Sequence, residues 1–354
     1  MVSPIPVGAF HASRQTLARM LDFQEVARND VQIDDALRQA TANTEGYLHR
    51  GFFPWLGTRY RDWPDRNNPT SYRLRLDGDE FISLSAATSG GSTLALNNLV
   101  FYPRSGPPYN CIETSFSTNT VFQSGDTWQD AIALTGLWSG SDGSTSSLTT
   151  LAASVNASAT TLTLIDGSRA GVGNVLRLGT EYVVVTGLTS ATTGQTLQTP
   201  LGALASGTSV AVTTGSAFRT GEVITLDAEQ MLVVDVTGNT LVVKRAWNGT
   251  VLATHTGSTI YAQRSLTVTR GACGSTAASH SNGDDVSLWL IPPAVQALSL
   301  AEAAWIYAGH AAGWQVAPGT TNRATTQLAA LEVIQDLRKN AQRVAGRKQR
   351  ARAV

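Results

Sequence analysis

Two histidines carry the most suggestive spacing in the chain. His255 and His280 each follow an arginine by ten positions (Arg245, Arg270) and a glycine by six (Gly249, Gly274). Imidazole is a good zinc ligand, but one histidine per repeat, without thiols or carboxylates beside it, is a poor ligand set. The spacing therefore reads as structural: a side chain hydrogen-bonded near a turn in each of two repeated units. Asp284-Asp285 and Asp77/Asp79/Glu80 offer oxygen ligands for calcium, yet neither has the spacing of a calcium loop, and both read as solvated turns. Phe52, Phe53, Trp55, Tyr60 and Trp63 have the chemistry of a sugar-stacking site; the expectation is that they seal a junction between helices and a first sheet. No Gly-x-Ser-x-Gly elbow, phosphate loop, His-Glu-x-x-His or Cys-x-x-Cys pattern occurs. The chain is accordingly expected to be no enzyme and to use no cofactor or metal.

Charge is distributed less evenly than its total implies. The 354 residues hold 26 basic and 26 acidic side chains. After Asp336 there is no acidic residue, while Arg338, Lys339, Arg343, Arg347, Lys348, Arg350 and Arg352 all follow. With those seven set apart, 19 basic residues face 26 acidic ones, a net of −7. An acidic body with a basic end is a signal for a partner. The end reads as a solvated terminus, as a contact for nucleic-acid phosphates, or as a segment that docks into an acidic or carbonyl-lined groove of a protein. No aromatic residue interleaves it, which argues against single-strand binding. Cys111 and Cys273 lie far apart and imply no disulfide framework, and the opening MVSPIPVGAF lacks the charged and apolar regions of a secretory signal.

The elements that must position these residues begin with one helix. In 292–314, Ala294, Leu298, Ala301, Trp305, Ala308 and Ala312 recur at spacings of four and three, broken by a narrow polar stripe of Gln296, Ser299, Glu302 and His310. A helix apolar around most of its circumference is buried on several sides, so this one is expected to be the post of a helical core. A membrane span is the competing reading, but Glu302 and His310 interrupt it and the apolar run is short of the ~20 residues a span needs. Ser13 caps a short helix with Leu17, Met20 and Leu21 on one face. Asn29-Asp30 caps a longer one with Ile33, Leu37, Ala40, Thr44 and Tyr47 in a stripe ending at Gly51. Ala330, Ile334, Leu337, Ala341 and Val344 mark a last helix stopped by Gly346.

Between these lies β-structure. Strand patterns occur at 72–76, 81–85, 99–103, 110–113 and 131–138, and 139–147 reads as a linker of Gly, Ser, Thr and Asp. Beyond it, Leu241/Leu266, Val243/Val268, Arg245/Arg270, Gly249/Gly274 and His255/His280 match at an offset of 25. A weaker echo links the Glu181 and Glu229 strands and the pairs Thr196-Leu197 and Thr240-Leu241. Such units stack to share a core. The expected fold class is α+β: a helical connector core built from N-terminal helices (1–57) and C-terminal helices with the basic tail (290–354), a β-strand region (58–140), and inserted β-rich repeats (141–289).

Several segments, in order, resemble head-to-tail connector (adaptor) proteins of long-tailed phages infecting actinobacteria. They are YRLRLDGDEFISL (72–84), SGPPYNCIE (105–113), AIALTGLW (131–138), LVVKRAWNGT (241–250) and GRKQRARAV (346–354). These adaptors are similar to the wider family of helical phage connectors. The resemblance implies a structural virion protein of the neck, made in the host cytoplasm, that forms a twelve-subunit ring under the portal protein. Such a ring would contact the next neck or tail-completion protein, pass double-stranded DNA without reading its sequence, and touch no membrane. The seven basic residues 338, 339, 343, 347, 348, 350 and 352 are the expected portal-docking set. The Thr/Gly-rich repeats and the Trp residues leave a second class open, a virion-associated adhesin or carbohydrate-binding tail protein. A tail-associated hydrolase, the third class, lacks paired catalytic residues.

Overall fold

The computed structural model describes residues 4–21, 27–64, 72–76, 78–311 and 321–346. Among them are four α-helices: α1 (Arg14–Met20), α2 (Ala27–Leu48), α3 (Pro293–Ala311) and α4 (Thr321–Ala345). Seven strands follow α2: β1 (Trp55–Arg61), β2 (Arg73–Arg75), β3 (Phe81–Ser89), β4 (Ser92–Thr93), β5 (Leu99–Tyr102), β6 (Cys111–Thr114) and β7 (Ile132–Trp138). Ten more precede α3: β8 (Thr145–Thr150), β9 (Thr161–Thr163), β10 (Val175–Leu178), β11 (Glu181–Thr196), β12 (Ser209–Ala211), β13 (Val223–Leu226), β14 (Glu229–Thr237), β15 (Thr240–Trp247), β16 (Thr259–Ala272) and β17 (Asp285–Trp289). The chain is 38% strand against 21% helix, in three sheets. This corrects the expected fold class: the molecule is mainly β, not a helical connector core with β-structure appended. The helices are long and strongly periodic, so they dominate a reading by pattern. The strands are mostly three to nine residues, and each gives a weak signal.

The helices form one layer around α3, which packs on α1, α2 and α4. Ser13 caps α1, its hydroxyl accepting from the Thr16 amide at 3.2 Å. Ile33, Leu37, Ala40 and Thr44 of α2 are buried as their stripe requires, but α2 begins at Ala27, so Asn29 and Asp30 lie within its first turn instead of capping it. Pro293 opens α3, where a missing N–H costs nothing. Two members of the polar stripe of α3, Ser299 and Glu302, face inward, while Gln296 is exposed. Ser299 is buried and meets His11 Nδ1 at 2.9 Å and the Thr44 hydroxyl at 3.1 Å, and Glu302 is buried against α4. Leu298 is fully buried and Ala308 is exposed; Ala312 and Trp314 fall outside the described residues.

Two small sheets, β1-β7-β3-β4 and β2-β6-β5, share a core that includes Trp63, Leu74, Phe81, Ile112 and Trp138. The segment 139–147 is pinned, not loose. The Ser139 hydroxyl donates to the Phe52 carbonyl at 3.0 Å, the Gly140 amide donates to the Gly51 carbonyl at 2.7 Å, and β8 begins at Thr145.

The ten-stranded sheet holds two copies of one unit, the second nested inside the first. The outer unit is 145–189 plus 265–289; the inner unit, 190–264, replaces the turn of the outer unit's central hairpin. Leu176, Leu178, Val183 and Val185 of the outer core correspond to Ile224, Leu226, Met231 and Val233 of the inner core, 48 positions later. Leu266 and Val268 correspond to Leu241 and Val243, 25 positions earlier. Pairing confirms the register: Leu188↔Leu266 and Thr189↔Ser265 in β11–β16 match Val236↔Leu241 and Thr237↔Thr240 in β14–β15. The inner hairpin closes at Gly238-Asn239, and at that point the outer hairpin runs on into the inner unit. Glycines recur where backbones cross: a Cβ on Gly167 would sit 2.0 Å from the Gln263 carbonyl oxygen, and one on Gly215 1.9 Å from that of Gly238. The proposed equivalence of Thr196-Leu197 with Thr240-Leu241 does not hold, since Thr240-Leu241 corresponds to Ser265-Leu266.

Each unit is built over one buried glutamate. Glu181 accepts from Arg270 Nε (2.7 Å) and Nη2 (2.9 Å), the amides of Gly271 (3.0 Å) and Ala278 (3.1 Å), and His280 Nε2 (2.8 Å). Glu229 accepts from Arg245 Nε and Nη2 (both 2.7 Å), the amides of Ala246 (3.0 Å) and Ala253 (2.9 Å), and His255 Nε2 (2.9 Å). Burial alone would raise both carboxyls, but the Arg, His and amide donors outweigh it and hold each at about 2. Glu229→Ala leaves Arg245 and His255 buried without their anion, and a loss of about 3–5 kcal/mol in urea unfolding is expected. A depressed carboxyl contributes stability above its unfolded value, so both units should lose stability as pH falls from 4.5 toward about 2. Acid titration of the melting temperature checks this, and Glu229→Gln should flatten part of the slope.

Candidate docking site on the C-terminal helix

Helix α4 is attached along one seam. Ile334 and Ala341 are buried, with Leu337 and Ala345 packed beside them, in a core shared with Phe52, Phe53, Val295 and Leu298. The rest of its described surface faces out, and it exposes Leu331, Val333 and Val344. Gly346 ends the helix at φ +72°, its amide donating to the Gln342 carbonyl at 2.9 Å.

The seven expected docking cations divide. Arg338 belongs to the seam: its Nη2 lies 2.8 Å from Glu302 Oε1, and its guanidinium stands 5.6 Å from the Tyr47 ring centroid. Burial raises the Glu302 carboxyl, and Arg338 works against that shift. Lys339 is exposed and pairs with Asp336 one turn before it at 3.1 Å, and Arg343 donates to Asn340 at 3.0 Å. Arg347, Lys348, Arg350 and Arg352 lie outside the described residues. Lys339 and Arg343 are therefore the described members that face outward, on the stretch leading to the remaining four.

The other sequence candidates resolve into structural roles. His255 and His280 sit on the buried glutamates described above. His255 also faces Asp227 at 2.7 Å, whereas His280 lies 3.9 Å from Asp284. Among the described residues, no group of three or more His, Cys, Asp or Glu side chains is arranged to hold a metal ion. Asp79 is buried between Arg59 and Arg61, Glu80 is paired with Arg50, and Asp77 is outside the described residues. Cys111 and Cys273 are free thiols, and burial pushes Cys273 up to about 12.

The aromatic set splits. Phe52 and Phe53 are buried against His11, at 5.9 and 5.3 Å between ring centroids, and Trp63 lies in the core of the small sheets. Trp55 and Tyr60 line a surface pocket of about 490 Å³ with Arg59, Arg61 and Asp130.

Sequence reading missed two buried features. One is His11, which joins the N-terminal segment to α2 and α3 through Glu45 at 3.3 Å and Ser299. The other is Glu222–Arg264, a bidentate pair at 2.5 and 2.9 Å in the inner unit. Neither is part of a repeated spacing, which was the one signal that marked His255 and His280.

No helix among the described residues is long and apolar enough to cross a membrane. Compared with protein-family models, with curated proteins and with solved structures, the chain matches none.

Because Arg338 neutralises a buried carboxylate, Arg338→Ala should loosen α4 by about 1–3 kcal/mol, seen as faster proteolysis of the helix. Lys339→Ala should stay within about 0.5 kcal/mol of wild type in the same assay.

Proposed function

We propose that the chain is a structural protein of a phage virion, a head-to-tail adaptor of the neck that binds the portal protein through the end of α4 and the basic stretch beyond it. The observation that carries this reading is the state of α4. One seam holds it to the body, its outer surface is partly apolar, and its exposed cations Lys339 and Arg343 continue into four more basic residues. Charges that lie back on an exposed acidic surface gain little, since surface ion pairs are worth only ~0–1 kcal/mol. Inserted into a pre-formed groove of a partner, the same charges are partly desolvated and their hydrogen bonds strengthen. The ordered resemblance of five segments to adaptor proteins gives the partner its name. A ring of twelve copies would multiply a modest contact through avidity, and a net-negative body would let double-stranded DNA slide past without holding it. The tail-side face of such a ring would meet the next neck or tail-completion protein.

A second reading, a glycan-binding virion protein, draws on Trp55 and Tyr60 in their pocket beside Arg61 and Asp130. The two readings differ in location: an adaptor sits between head and tail, an adhesin at an exposed tip.

Truncation inside α4 is a poor test, because Ala341 and Arg338 hold the helix to the body. The cleaner variant replaces Arg347, Lys348, Arg350 and Arg352 with serine. Wild type should co-sediment with portal rings in a salt-sensitive way, and the variant at least tenfold less. Equal co-sedimentation of the two would overturn the docking role.

A further inference from the structure

The nested duplication gives each face of the inner unit a counterpart whose surroundings are known. In the outer unit, one side of the strands carries its own core (Leu176, Leu178, Val183, Val185). The opposite side carries Val175, Tyr182 and Val184, which are buried in a common core with Val295 and Leu298 of α3 and Ile334 and Ala341 of α4. The turn after β16 completes this contact. The Leu56 amide donates to the Cys273 carbonyl at 2.7 Å, and Gly274 lies so close that a Cβ would meet the Leu56 carbonyl oxygen at 2.1 Å. This side of the unit is a docking face for the helical layer and β1.

The inner unit repeats the face but not its cover. Register places Tyr261, Thr225, Gln230 and Trp247 in one row across β16, β13, β14 and β15, with Leu232 and Lys244 in the next. Gln230 and Leu232 stand where the outer unit has Tyr182 and Val184. The turn is repeated too, with Asn248 at φ +54° and Gly249 at +74° against +58° and +76° for Cys273 and Gly274. Yet Val234 is 52% exposed, Tyr261 42% and Val251 81%, and Leu232 and Trp247 are only half-buried. The inner core contains no residue of α1–α4. Arg19 of α1 reaches the Gly221 carbonyl at 3.2 Å but leaves this face open.

The chain also carries a matching surface. Ile334 and Ala341, on the inner edge of α4, belong to the core that buries the outer unit's face. Val333 and Val344, eleven residues apart and so on one side of the helix, form a second apolar edge beside that seam, exposed by 57% and 60%. We infer that this edge of α4 is the cover for the inner unit's face in a second copy of the chain. One helix then contributes to two cores, the one beneath its own outer unit and the one formed with a neighbour's inner unit. The contact is heterologous, so it propagates from copy to copy into a ring or filament. It rests on the inner unit and α4 alone and requires no portal.

The test uses the full chain and three variants: Val234→Asp on the sheet face, Val333→Asp with Val344→Asp on the helix edge, and Trp247→Ala. All four positions are exposed or half-buried, and unchanged circular dichroism and melting temperature confirm folding. Wild type should self-associate with rising concentration in sedimentation velocity, and each variant should do so at least tenfold more weakly. Mixed one to one, Val234→Asp and the helix-edge variant each keep one good face, so they should form dimers that grow no further. Wild type that stays monomeric throughout, Val234→Asp that assembles like wild type, or a mixture that fails to pair overturns the inference. So does a Trp247→Ala variant that assembles normally but loses binding on a glycan array, which assigns the face to saccharides. Wild type that self-associates but does not bind portal rings would sink the adaptor reading and leave this one standing.

Discussion

A carboxylate sealed inside a small β-fold has to be neutralised, and in this chain that requirement fixes the geometry of both repeated units. Glu181 and Glu229 are fully buried, and each takes five hydrogen bonds from one arginine, one histidine and two amides. The arginines reach further. Arg270 also donates to the carbonyls of Asn156, Ala159 and Ala278, and Arg245 to those of Gly202, Gly207 and Ala253. One ion pair thus ties a strand, its partner strand, the turn after it and a loop from the start of the unit. Arginine suits this role because its planar fork binds a carboxylate bidentately and still has donors to spare. A hydrophobic replacement of similar volume would fill the space, but it would leave those carbonyls and amides unsatisfied.

The same constraint explains how one unit can sit inside another. Everything the Glu181 site needs comes from β11, β16, the turn after β16 and the loop before β9, and nothing comes from the tip of the β11–β16 hairpin. Opening that tip to admit 75 residues leaves the site untouched. The ribbon β11–β16 simply lengthens, with irregular register between Thr192 and Gln195, and passes its ladder to β13 through Ile224↔Ala262. The two cores remain separate on either side of this ribbon. Loop closure grows only slowly with length, so such an insertion costs the outer unit little provided the inner unit folds by itself.

Part of this was legible in the sequence and part was not. The stripe Ile33–Thr44, the stop at Gly346 and the strand alternation at 72–76 follow from local periodicity, and each has its counterpart in the structure. The 25-residue echo was visible because its strand, turn and histidine keep one spacing. The echo of the Glu181 strand in the Glu229 strand was weaker, and nesting hid how the two echoes belong together, since the duplicate lies 48 residues ahead for one half and 25 behind for the other. The balance of α and β was misjudged for a related reason. Helix periodicity accumulates over twenty residues, while β9, β10 and β12 have three or four residues each and depend on partners far along the chain. Ser299 and Glu302 read only as part of a polar stripe, because their partners, His11, Thr44 and Arg338, come from three other segments.

The charge asymmetry also acquires a physical meaning that composition alone does not supply. Six arginines of the body are drawn inward: Arg14, Arg50, Arg59, Arg245, Arg264 and Arg270 all hold carboxylates in buried or half-buried pairs. A buried pair of opposite charges adds little to the field outside. Meanwhile Asp126, Asp130, Asp142, Asp235 and Asp285 are exposed, so the body's net of −7 is displayed on its surface. Lysine is rare, and two of its three occurrences, Lys339 and Lys348, lie in the terminal stretch. Internal pairing has therefore sorted the cations by task. Six arginines are spent within the fold, whereas Lys339 and Arg343 stand on the exposed side of α4, where Lys339 meets its neighbour Asp336 and Arg343 its neighbour Asn340.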